Sequence, residues 1–234
     1  MTLSDLEHAG GFAYPLLYKQ LEYDGMLDVG EYGPTWYQQV YPALKERPTL
    51  LLHADDFELL SVKAVAAALE ELADPEDYRH IDPAWRFIPF AQTGAGDHYC
   101  FFASGRQGDD MPIVLLWHDQ DEAQHLARNL QDFLFLMLLK GLADQDTSNA
   151  VSDGEFRQQL ENTVATHARY LTARQAEVVQ ALLARDIVDY DVVLPKGRKE
   201  AHRGLLTAIE LASLRAECIP YDKFDHCFAY GAAS

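Results

Sequence analysis

Residues 86–140 constrain the fold more tightly than any other part of the chain. They read RFIPFAQTGAGDHYCFFASGRQGDDMPIVLLWHDQDEAQHLARNLQDFLFLMLLK: three short apolar runs, two turns and a long apolar segment. Thr93-Gly94-Ala95-Gly96-Asp97 places glycines where a tight reversal needs positive φ. Ser104 to Asp110 is a longer polar loop closed by Pro112. The runs between them are aromatic and β-branched, which predicts strands near Phe87, Tyr99 and Val114 in one antiparallel sheet. A helix is expected over 121–140, with Leu126, Leu130, Phe133 and Met137 turned toward that sheet. Phe135, Leu136 and Leu139 make its last turns apolar on nearly every side, so the C-terminal segment is expected to cover them.

The rest of the chain is read with the same signals. A short helix is expected over 16–23, stopped by Asp24-Gly25. Pro34 opens a second helical piece and Pro42 breaks or restarts it. The apolar run 49–54, bounded by Pro48 and Asp55-Asp56, is expected to be a strand. Ser61 caps a helix reaching Leu72. The polar segment 144–154 is the candidate linker. Beyond it, Phe156, Leu160 and Val164 mark a helix, and Thr172-Ala173-Arg174-Gln175 is a capping box opening another. A strand over 187–194, a basic loop over 195–199, a helix over 205–218 and a closing strand over 224–230 complete the expected order.

Charge narrows the function classes. The chain has 234 residues, with 37 acids against 19 bases, a net charge of -18. Residues 1–146 hold 25 of the acids and 9 of the bases, so nearly all the excess lies there. Such a field repels nucleic acid and attracts a basic protein. The mean hydropathy is -0.21 and no apolar run approaches a membrane span, so neither membrane nor nucleic-acid partners are expected. The first residues carry no basic leader pattern, and Cys100, Cys218 and Cys227 lack metal spacing. The expectation is a cytoplasmic protein with free thiols and no cofactor.

His118-Asp119, with Glu122 and His125, is the cluster with metal-ligand character. Following a strand, Asp119 or Asp121 equally suits a helix cap, and capping is the expected role. His53-Ala54-Asp55-Asp56 carries the same two readings, with turn chemistry preferred. Gly94-Ala95-Gly96-Asp97 lacks the Lys-Ser/Thr ending of a phosphate loop. No Gly-x-Ser-x-Gly is present, and Cys100 sits among strand aromatics as an inert thiol would. The acids beside aromatics are the candidate partner surface: Asp55, Asp56 and Glu58 around Phe57, Asp97 in the first turn, and Asp109 and Asp110 in the second.

The fragments Phe-Ile-Pro-Phe-Ala, Gly-x-Gly-Asp-x-Tyr-x-Phe, Pro-Ile-Val-x-x-Trp-x-His-Asp and Leu-Ala-x-Asn-Leu-x-Asp-Phe-Leu, in that order, resemble the SUKH superfamily. Pro15 to Gly25 resembles the family's first helix and its glycine-ended turn, so the likeness covers residues 12–142. Many members are bacterial immunity proteins that bind secreted toxins, and a fungal cell-wall synthesis regulator is another. The resemblance implies an α+β fold with an antiparallel or mixed sheet over 1–146. A mainly helical extension, 147–234, is expected to dock on it. It also implies a non-catalytic protein-binding role, and the charge asymmetry points to a basic toxin domain as the partner; the alternatives are a metal-dependent hydrolase around His118 and Asp119, or an intracellular regulatory or scaffold protein.

Overall fold

The structure is a computed structural model describing residues 1–31, 33–145 and 152–231. In chain order its helices are α1 (Leu3–Gly10), α2 (Leu16–Tyr23), α3 (Trp36–Gln39), α4 (Tyr41–Glu46), α5 (Val62–Ala73), α6 (Leu130–Ala143), α7 (Asp153–His167), α8 (Ala173–Leu183) and α9 (Ala208–Cys218). The strands are β1 (Glu58–Leu59), β2 (Phe87–Gln92), β3 (His98–Phe102), β4 (Ile113–Leu116), β5 (Glu122–Ala127), β6 (Val188–Val193), β7 (Lys199–Gly204) and β8 (Cys227–Ala229). Among the described residues no helix is long and apolar enough to cross a membrane.

Two compact units interleave along the chain. The first comprises Met1–Asp28, Asp56–Phe133 and Tyr221–Ser234; the second comprises Val29–Asp55 and Leu134–Pro220. The linker expected over 144–154 includes residues 146–151, which lie outside the described residues.

In the first unit six strands form one antiparallel sheet in the order β1-β2-β3-β4-β5-β8. The α+β class and the antiparallel β2-β3-β4 core agree with the sequence reading. β3 shows why its residues read as an unbroken apolar run rather than an alternation: both faces of the sheet are covered. Tyr99 and Phe101 point to one side, where Phe101 meets Tyr14 and Tyr18 of the α2 region and Tyr99 meets Phe57 and Phe133. Cys100 and Phe102 point to the other, into a cluster with Phe87, Val114, Leu116, Ala123 and Tyr230. The thiol of Cys100 is fully buried, and burial pushes its pKa up, as expected for an inert group.

Three expectations are corrected. Residues 122–127 are a strand, not the start of a helix. The sequence Glu-Ala-Gln-His-Leu-Ala favours helix by propensity, but hydrogen-bonded partners on both sides, β4 and β8, override it. Leu126 therefore lies in β5 and not on a helix face. The helix begins only at Leu130, and its cap is Asn129, whose Oδ1 accepts from Asp132 N at 2.9 Å. Neither Asp119 nor Asp121 caps a helix; both lie in the β4–β5 turn. Residues 49–54 are a turn rather than a strand, with Leu51 at φ 51°.

The second unit is mainly helical, with a β6–β7 hairpin whose second strand has too little apolar content to be read from sequence. Thr172 and Gln175 form the expected capping box at α8. The C-terminal end of α6 is closed by β6 and by the chain just after β7. Leu205 N donates to Leu142 O at 2.7 Å, and the Tyr190 hydroxyl donates to Ala143 O at 2.8 Å. Phe135, Leu136 and Leu139 are all buried. His167, at the end of α7, is fully buried; its Nε2 accepts from Leu51 N at 3.0 Å and its Nδ1 lies 2.8 Å from Thr163 O.

Candidate binding surface

Strand direction sorts the predicted acids into two groups. Asp56, Glu58 and Asp97 gather at the end of the sheet where β1 begins and β2 turns into β3. Asp56 sits at φ 49°, its Oδ1 accepting from Gly94 N at 2.7 Å, while its carbonyl accepts from the Tyr99 hydroxyl at 3.2 Å. Glu58 accepts from Gln92 Nε2 at 3.1 Å across the β1–β2 pair. Asp97 N donates to Thr93 Oγ1 at 3.0 Å, and Thr93 N donates to Asp97 O at 2.8 Å, which closes the turn. Asp109 and Asp110 lie in the β3–β4 loop, at the opposite end of those strands. Asp55 is exposed and closes one segment of the second unit.

The two groups differ in charge balance. Asp109 is 3.6 Å from Arg106, and Asp110 is 3.8 Å from Arg128 and takes a hydrogen bond from Asn129 at 2.7 Å. Each of these acids thus has a cation at hand. Among the described residues Asp56 and Glu58 face hydrogen-bond donors but no ion-pair partner. Phe57 points inward: it is only 8 % exposed and packs among Phe90, Tyr99 and Phe133. It anchors the acids that flank it and offers little surface to a partner.

The suspected metal cluster does not converge as the sequence suggested. His118 and Asp119 lie in the β4–β5 turn, while Glu122 and His125 are three apart on a strand and so face opposite sides. His125 is a core residue, 6 % exposed, its Nδ1 3.1 Å from the Tyr221 hydroxyl and its ring against Phe228. Burial, then the nearby Lys223 and His226, push its pKa down to about 4. Asp97 instead joins His118 and Asp119, and one ligand atom from each lies within 4.8 Å of the others. No sequence spacing links Asp97 to His118; the β3–β4 pairing brings them together. Asp97 Oδ1 accepts from His118 N at 3.0 Å and lies 2.7 Å from His118 Nδ1. Burial alone would raise the Asp97 carboxyl, but these bonds outweigh it and hold the group below the usual carboxylate range.

The SMI1 / KNR4 family (SUKH-1) matches the chain over residues 2–135, from the N-cap of α1 into α6. A search of the curated proteins found no match, and a search of the solved structures found none. The family match spans more than half of the 234 residues and contains β1 to β5 in full. The chain belongs to the SMI1 / KNR4 (SUKH-1) family.

Proposed function

We propose that this protein is a non-catalytic binding module of the toxin-immunity type, neutralising a basic toxin domain by direct association. The observation that carries the reading is the family match over residues 2–135. The concentration of acids in residues 1–146 supports a basic partner, and Asp56 and Glu58, which have no ion-pair partner among the described residues, are the acids proposed to steer it. The association rate of such a partner should fall steeply as salt rises. Asp56→Asn with Glu58→Gln should slow association several-fold and change dissociation little, because exposed charges act mainly on encounter. Stopped-flow measurement with a partner recovered from the native host tests this. An association rate indifferent to salt, or recovery of no protein partner at all, overturns the proposal.

Metal-dependent hydrolysis has one observation in its favour, the Asp97–His118–Asp119 grouping. Against it, the Asp97 carboxylate is already engaged by two His118 hydrogen bonds that lock the two turns together. Elemental analysis of protein purified without chelator is expected to show no near-stoichiometric zinc, manganese or iron. A stoichiometric metal that disappears in His118→Ala would establish the hydrolase reading instead.

A further inference from the structure

An open groove of about 970 Å³ lies in the first unit between α1, α5 and the connection from Asp74 to Phe87. Its lining includes apolar side chains from all three: Leu6 of α1, Leu69 and Leu72 of α5, and Ile81 and Trp85 of the connection. Leu72, Ile81 and Trp85 rest their inner sides on the Phe87–Phe102–Tyr230 cluster and remain half-exposed. Four carboxylates, Asp5, Glu70, Asp74 and Asp82, line the same groove. Asp5 is 3.9 Å from the Met1 amine, and among the described residues the other three form no ion pair. The one arginine present, Arg86, is turned onto the Phe12 ring and the Gly11 carbonyl.

The wall opposite the helices is fixed in advance. Arg79, 3 % exposed, holds Asp77 through Nε at 2.7 Å and also pairs with Glu71 of α5. Asp82 N donates to Tyr230 O at 2.8 Å, and Ile81 bridges to Gly231. A loop tied down in this way loses little further freedom when a ligand arrives.

We infer that this groove receives a basic amphipathic segment of a protein partner, apolar side chains on its floor and Lys or Arg along its rim. The inference rests on the protein-binding reading above and gives it a second, apolar contact. The carboxylates come from α1, α5 and the connection, so negative charge is shared among all three walls of the groove. That distribution suits a segment with several cations better than one small ligand. Anionic nucleic acid and anionic membrane surfaces meet the wrong sign of charge.

The test uses the full chain and two synthetic peptides with the same leucine face, one flanked by lysines and one by glutamates. Titration is followed by amide chemical shifts and by fluorescence anisotropy. The lysine peptide should bind in the micromolar range and shift the amides of Leu69, Leu72 and Trp85. The glutamate peptide should bind at least about tenfold more weakly. Glu70→Lys with Asp74→Asn should weaken the lysine peptide by about tenfold, whereas Glu177→Lys, in α8 of the second unit and absent from the groove lining, should leave it unchanged. Equal affinity for both peptides, no binding of either, or shifts confined to other residues overturns the inference. If the groove variants leave a recovered toxin-type partner bound as before, the groove assignment fails while the neutralisation reading stands. If the peptide behaves as expected but no protein partner exists, the reverse holds.

Discussion

A chain ending at Gln145 is expected to aggregate instead of folding. Two separate losses combine. Most of α6, from Leu134 to Ala143, belongs to the second unit, and the cut removes residues 152–220 from that unit. Phe135, Leu136 and Leu139, now at most 1 % exposed, lose the segment that closes their helix. The same cut deletes β8, which pairs with β5, together with Tyr230, which is 1 % exposed in the aromatic cluster. Each such side chain contributes roughly 1.5–3 kcal/mol when buried. Four of them approach about 10 kcal/mol, the scale of a domain's whole net stability. A shorter cut after Pro220 isolates the β8 contribution, since it bares β5 and the aromatic cluster but spares the second unit. Soluble yield and calorimetry decide the matter. A fragment ending at Gln145 that is as soluble and as heat-stable as the whole chain would show these contacts to be dispensable.

His167→Ala is expected to destabilise the second unit by about 3 kcal/mol. The change strips the Leu51 N–H of its acceptor and opens space at a fully buried position. The histidine also sets a pH dependence. Burial pushes its pKa down to about 4, against an unfolded value near 6.5. Below pH 6.5 the unfolded chain takes up a proton that the folded chain refuses. The stability is therefore complete above pH 6.5 and declines as pH falls toward 4, by up to about 1.4 kcal/mol per pH unit. His125 titrates in the same window in the first unit. Urea unfolding of wild type and His167→Gln at a series of pH values separates them. The glutamine variant should lose part of the acid slope, and identical slopes would refute the assignment.

Much of the fold could be read from residues whose local chemistry leaves little choice. Strands β2 to β4 were legible because glycine and proline turns bracket apolar runs that are buried on both faces. Helices α5 and α8 were legible because Ser61 and Thr172 supply caps at fixed spacing. β5 was not, since its Glu, Ala, Gln and Leu carry helical propensity and only long-range pairing makes them a strand. The 49–54 turn misled for a related reason: Leu50 and Leu51 are apolar because they are buried, not because they are extended. For the surface, the acids could be identified but not their grouping, because the separation of Asp97 from Asp109 and Asp110 depends on the direction of β3. The groove left no local trace, as its walls come from three elements whose apolar residues look like ordinary core.

The β5–β8 pairing has a consequence in time. Glu122 pairs with Ala229, so the last strand of the sheet is made about a hundred residues after the strand it joins. At about 5–20 residues per second, translation leaves β5 with an open edge for roughly 5–20 s. Unpaired strand edges invite pairing with other chains. A ribosome that stalls late in the second unit, after β5 has left the exit tunnel and before β8 is made, would thus hold out a five-stranded sheet missing its final member, and a chaperone that shields strand edges would be needed most during that interval.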